Sequence, residues 1–253
     1  MKFLKLALCS ATAGLAIAGA AHAEVSVNAG VVSQYLFRGL SQGADAAGFG
    51  GVDWSGESGA YAGLWTSSVG FASAEVDAYG GWKGSSGDFD FDVGAIYYGY
   101  VNDGTTWVNA TTHAGDPSID AAYYEVYAKG SFPVGMGSIT GAIYYSPEYF
   151  AEAGAATYYE VGFTAPWKDV VISGAFGIQN ISDPETGAFR CGGSGCEDSY
   201  TTWNIGFTVP INDVASVDVR YTSTNDHAAA FGNSNLYGVD FDGITAKLTT
   251  TFK

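Results

Sequence analysis

The sequence is poor in cysteine, proline and basic residues, with 3, 6 and 10 among 253 positions. Beyond residue 23 it also lacks any apolar run approaching the roughly 20 residues of a membrane-spanning helix. Each scarcity excludes something. With 26 acidic residues against 10 basic ones, nucleic acid is no partner, because phosphate would be repelled and no counterions released. A zinc site around Cys191 and Cys196 would need two more ligands at matching spacing, and none is seen. No Gly-x-Ser-x-Gly motif is present, and His113 and His227, the only histidines after residue 23, fall in predicted loops. A lipid hydrolase therefore has little to build on, and neither cofactor nor covalent chemistry is expected. The missing apolar run would usually indicate a water-soluble chain. A β-barrel escapes that test, because only alternate residues need be apolar.

What is present begins with an address. Lys2 and Lys5 precede the apolar run LALCSATAGLAIAGA, and Ala21-His22-Ala23 forms a small-x-small site before Glu24. Residues 1–23 read as a secretory signal peptide carrying Cys9, and 24–253 as a single mature domain. Two of the 10 basic residues leave with the signal, so 8 face 26 acids, a net charge of −18. Export places Cys191 and Cys196 in an oxidising compartment, where they read as a local disulfide, with free thiols as the alternative.

Period-two alternation dominates the mature chain. In FDFDVGA, Phe89, Phe91, Val93 and Ala95 share one face, and Asp88, Asp90, Asp92 and Gly94 the other. Val76 and Ala78 oppose Glu75 and Asp77; Val217, Val219 and Tyr221 oppose Asp218 and Arg220; Ile244, Ala246 and Leu248 oppose Thr245 and Lys247. Twelve such segments are expected, near 25–37, 48–55, 59–68, 73–82, 88–100, 119–131, 137–146, 157–165, 170–179, 200–209, 215–223 and 243–252. Each is close to the roughly 9–11 residues with which a tilted strand crosses a bilayer. Short turns are expected at Gly56–Ser58, Gly84–Gly87, Pro133–Met136, Pro166–Asp169 and Pro210–Asp213, with longer polar loops in most other gaps.

Aromatics mark the strand ends. Tyr97-Tyr98, Tyr123-Tyr124, Tyr144-Tyr145 and Tyr158-Tyr159 map to one end, and Trp54, Trp82, Phe89, Phe132, Trp167 and Phe252 to the other. Two aromatic belts are what bilayer interfaces favour. Together these patterns predict an all-β fold, a transmembrane antiparallel up-and-down barrel of about 12 strands, in the outer membrane of a Gram-negative bacterium. Its partners would be outer-membrane lipid and lipopolysaccharide outside and small solutes or ions inside.

The inward faces are expected to present Arg38, Glu75, Asp77, Asp90, Asp92, Glu125, Lys129, Glu160, Asp218, Arg220 and Lys247. Acids outnumber bases, so an open, hydrated lumen would weakly prefer cations. Opposed charges that pair and plug the lumen are the alternative, leaving a structural or adhesive barrel acting through its external loops. Asp90 and Asp92, about 7 Å apart on one strand face, read as lumen charges rather than a catalytic or calcium pair.

Residues Ser33-Gln34-Tyr35-Leu36-Phe37-Arg38-Gly39-Leu40-Ser41-Gln42 resemble the opening motif of the TorF family, a group of proteobacterial barrels. Gly59–Ser67 (GAYAGLWTS) and Tyr144–Phe150 (YYSPEYF) are similar to two further blocks in the same order. The resemblance implies an outer-membrane location and a pore. It carries no substrate and no catalytic residue.

Overall fold

The computed structural model describes residues 23–43, 46–103, 120–182, 198–225 and 239–253. The signal segment up to residue 22, His113, His227, Cys191 and Cys196 lie outside them. Among the described residues twelve strands close into an antiparallel barrel. They are β1 (Glu24–Val32), β4 (Ala47–Ser55), β5 (Ala60–Ser67), β6 (Ala74–Ser86), β7 (Phe89–Val101), β8 (Tyr123–Val134), β9 (Gly137–Ser146), β10 (Ala156–Trp167), β11 (Val170–Ile181), β12 (Ser199–Pro210), β13 (Ala215–Asn225) and β15 (Asp242–Phe252). Three two-residue strands, β2 (Leu36–Phe37), β3 (Leu40–Ser41) and β14 (Val239–Asp240), form a separate small sheet.

Each barrel strand pairs with its neighbour in sequence, and β1 closes the ring by pairing with β15. Closure removes the sheet edge that would otherwise expose unpaired backbone groups. Lys253, just past β15, pairs with Glu24 at the start of β1, Nζ to Oε1 3.1 Å.

The expected alternation holds in the wall. On β6, Val76 faces out while Glu75 and Asp77 are buried; on β8, Glu125 and Lys129 are buried while Val126 faces out. Away from the strand ends, no outward position of the described strands carries a charge; Asp242, opening β15, sits at the rim. Outward positions instead carry Val, Ile, Leu and aromatic side chains. No helix among the described residues is long and apolar enough to cross a membrane, which does not bear on a barrel.

Several expectations need correction. The first strand ends at Val32, not near residue 37; the chain bends at Ser33–Gln34 and turns inward. The Gly84–Gly87 turn is only Gly87-Asp88, because β6 and β7 stay paired out to Ser86 and Phe89. Gly87 (φ 62) and Lys168 (φ 55) take the positive φ of tight hairpin turns. Pro133, Pro166 and Pro210 lie in the last two positions of β8, β10 and β12 rather than in the turns. A missing backbone donor does least harm there.

The tyrosine pairs also differ from expectation. Tyr97, Tyr124, Tyr145 and Tyr159 face outward, each more than 40% exposed. Their partners Tyr98, Tyr123, Tyr144 and Tyr158 point into the barrel and are buried. Adjacent strand residues must take opposite faces, so each pair gives one aromatic to the outer belt and one to the interior. Trp54, Trp82, Phe89, Phe132, Trp167 and Phe252 are all outward at the short-turn end.

Candidate functional site: the barrel lumen

The lumen is not filled by strand side chains alone. After β1, residues 33–43 fold back as a small hairpin, β2 pairing with β3, with Phe37 opposite Leu40. Arg38 (φ 48) and Gly39 (φ 83) form its two-residue tip, both with the positive φ that a type I′ turn requires. The stem is held by Gln42 N–H donating to the Tyr35 carbonyl (2.9 Å) and Gln34 Nε2 donating to Ser41 Oγ (2.5 Å). Strand β14 adds to the far side of β3.

The hairpin leaves the wall between β1 and β4, and its tip reaches the opposite strands. Arg38 Nη1 and Nη2 donate to both carboxylate oxygens of Glu125 on β8, at 2.8 and 2.7 Å, and Nη1 donates to Gln179 Oε1 on β11 at 2.9 Å. The guanidinium also lies over the rings of Tyr158 (4.3 Å), Tyr144 (4.8 Å) and Phe37 (4.8 Å). The Arg38 and Glu125 side chains are 7% and 1% exposed. A buried charge is tolerated only when paired and hydrogen-bonded, and the two-pronged fork meets that condition.

Two further contacts fix the hairpin. Tyr35 donates to Glu75 Oε1 on β6 at 2.6 Å; burial, with the charges of Glu75 and Asp77, pushes the Tyr35 hydroxyl well up, so it stays a donor. Thr224 Oγ1 on β13 donates to the Gly39 carbonyl at 2.8 Å. A Cβ at Gly39 would run into the side chains of Thr202 and Thr224. Gly39→Ala should therefore undock the tip, seen as faster trypsin cleavage after Arg38 in the folded barrel; unchanged cleavage would show that the threonines give way.

Around the hairpin the long-loop end of the lumen is a packed core. Leu40 packs with Tyr98, Tyr123, Tyr149, Ala156, Ile181 and Tyr200. Tyr35, Val69, Phe71 and Ala121 form a second cluster, with Phe150 of the 3-10 turn Phe150–Glu152 packed against both. Burial pushes the Tyr149 hydroxyl to about 12, against the opposing pull of Arg38.

Nearer the short turns the interior is polar. Tyr61 donates to Asp92 Oδ1 (2.5 Å) and shares a hydrogen bond with Tyr127; Tyr79 donates to Asp53 Oδ1, and Asn28 Nδ2 donates to Asp53 Oδ2 (3.2 Å). Lys129 lies over Tyr127 (4.5 Å) and neighbours Asp92 in register. On the far wall Arg220 pairs with Asp218 (3.2 Å) and donates to Asn204 (2.5 Å) and Ser173 (2.8 Å).

All eleven residues expected in the lumen turn inward, by different routes. Arg38 is carried by the hairpin and not by a strand, and meets Glu125. Glu75, Asp77, Asp92, Glu125 and Lys129 are buried; Glu160, bonded by Tyr158 (3.0 Å), Asp218, Arg220 and Lys247 are half-buried. Asp90 is separate from Asp92, half-buried near the short-turn rim and bonded by Ser85 (2.5 Å). Sequence reasoning missed Tyr35, Leu40, Gln179, Tyr61, Tyr79 and Asp53. A signal for the first two existed: Gly39, a residue suited to positive φ, lies between the apolar Phe37 and Leu40, as in a two-residue hairpin turn.

Residues 16–252 match the family model Gcw_chp, described as bacterial protein of unknown function. This chain belongs to the Gcw_chp family. No curated protein matches it. Among solved structures, the Gcw_chp barrel is similar to the NanC porin, with 9% identity, a TM-score of 0.56 and coverage of 91% of this chain and 100% of that one. It is similar too to the KdgM porin in complex with disordered oligogalacturonate, with 8% identity, TM-score 0.55 and coverage of 90% and 98%. At such identities the likeness is one of fold. The TorF likeness remains a resemblance carried by the three sequence blocks.

Proposed function

We propose that this protein is an outer-membrane, porin-like channel of a Gram-negative bacterium, passing small solutes by passive diffusion with a weak preference for cations. The observation that carries this reading is the sorting of charge. Outward strand positions between the ends are uncharged, while acids and bases are gathered inside. Water gives a soluble protein no reason to keep its outer face apolar over a whole closed wall; lipid does. The outer face would then meet lipid and lipopolysaccharide, with the termini on the periplasmic side. The TorF resemblance and the porin folds support the same reading.

Cation preference rests on which charges are balanced. Arg38 and Arg220 are tied to Glu125 and Asp218, whereas Asp53 is bonded by neutral tyrosine and asparagine groups and Asp90 by serine. A surplus of negative potential follows. Planar-bilayer recording under a potassium chloride gradient tests it: discrete steps with a cation-shifted reversal potential are expected. Asp90→Asn with Asp92→Asn should move that potential towards zero, and no movement would remove these two carboxylates from the selectivity argument.

The hairpin across the lumen favours a second reading, a closed structural or adhesive barrel. A folded, inserted barrel that gives no conductance steps would support it.

A further inference from the structure

We propose that the β2–β3 hairpin is a gate laid across the lumen, and that the Arg38–Glu125 pair is its latch. This rests on the channel reading above. Four features point to a movable element and not to a fixed part of the wall.

The hairpin spans the interior: it starts between β1 and β4, touches β6 through Tyr35, and ends on β8, β11 and β13 through Arg38 and Gly39. In its docked position it lies in the path of any solute. It is also dispensable to the wall, because Val32 and Ala47, the barrel residues on either side of it, are already register partners. The barrel is complete without the hairpin.

Its directional anchors to the facing strands are polar. Tyr35, Arg38 and Gly39 are held by a carboxylate, a carboxylate with an amide, and a hydroxyl. In a wetted lumen each of these groups can exchange its protein partner for water. Opposing release, Leu40 and Phe37 pack into one apolar cluster and the Tyr35 ring into the other, so the polar anchors set the balance only while this packing is the weaker hold. Finally, the tip is strained. Asn and Gly are the residues that suit positive φ in such turns, yet Arg stands at φ 48. An arginine there serves the latch at the cost of the turn, and undocking relieves that strain. The same decapeptide, Ser33–Gln42, is one of the three blocks that carry the TorF resemblance.

The test is single-channel recording in potassium chloride on three proteins: wild type, the variant Arg38→Ala with Glu125→Gln, and a deletion joining Ser33 to Ala46 through an Asn-Gly turn. Folding is checked for each by heat-modifiable migration in gels. The deletion should conduct several-fold more than wild type, and the double variant should open to the deletion's level in bursts. Equal conductance of wild type and deletion would overturn the gate and leave the channel intact. A deletion that is folded but silent would overturn the channel reading, and the gate with it. A large deletion conductance with a double variant indistinguishable from wild type would make the hairpin a fixed constriction, which also overturns the latch. If the deletion does not fold, the double variant decides: bursts of opening support the latch, and wild-type behaviour overturns it.

Discussion

Arg38→Ala is expected to free the hairpin while leaving the barrel standing. If Glu125 stayed buried without its partner, the loss would be about 3–5 kcal/mol, the usual penalty for stranding one member of a buried pair. The hairpin offers a cheaper escape. Undocking lets water reach Glu125, so the penalty falls on docking and not on strand pairing. A docking loss near 3 kcal/mol corresponds to roughly a hundredfold increase in the open population. Hydrogen exchange reads this directly: the Gln42 amide, bonded to the Tyr35 carbonyl, should exchange on that faster scale. Amides in the β6–β7 and β10–β11 ladders should keep wild-type rates, since local and global opening are separate events. Adding Glu125→Gln should recover part of the loss, as two contacting residues are non-additive. Arg38→Lys should fall between, because an ammonium keeps the charge but not the fork that spans both oxygens of Glu125. Uniformly faster exchange in all strands would show instead that Arg38 supports the barrel as a whole.

The contrast between wall and hairpin also explains what the sequence could reveal. A closed wall with lipid-compatible residues outside and charges inside imposes period two on every strand. Phe89, Asp90, Phe91, Asp92 and Val93 therefore show their faces without a structure. The expected first strand runs past Val32 because Tyr35, Leu36 and Phe37 resume an apolar stretch after Ser33-Gln34, and nothing in that composition separates a strand from the arm of a hairpin. The turn itself was hidden by Arg38, which is not a usual turn residue and reads as one more inward charge. The tyrosine pairs misled for a related reason: when both faces take an aromatic, the alternation that assigns faces disappears. Depth was equally illegible. Asp90 and Asp92 obey the same period, but one is bonded by Ser85 near the rim and the other lies buried beneath Tyr61. The Glu125–Arg38 contact joins residues 87 apart in sequence, and no local pattern encodes it. The proposed Cys191–Cys196 disulfide concerns residues outside the described ones and is tested by mass spectrometry with and without reductant.

A charge placed on the outer wall should separate a membrane barrel from any water-soluble alternative. Val161 is 52% exposed at the middle of β10, next to Gly141 and Phe176 in register. In water, arginine at such a position would be nearly neutral, within about 0.5 kcal/mol. In a bilayer the same residue sits near the midplane, and Val161→Arg should cost about 2–4 kcal/mol, whereas a charge close to the interface costs about 0–1 kcal/mol. Val101, 45% exposed as the last residue of β7, provides the interfacial control. Urea-dependent folding into lipid vesicles should therefore rank Val161→Arg well below both Val101→Arg and wild type. The ordering matters more than either value, because it depends on depth and no soluble protein has a depth axis along its strands. Equal, small effects at both sites would end the membrane reading, since the outer face would then be an ordinary wet surface. A large effect at Val161 alone would fix the midplane on β10 and, through the continuous register, on every other strand of the wall.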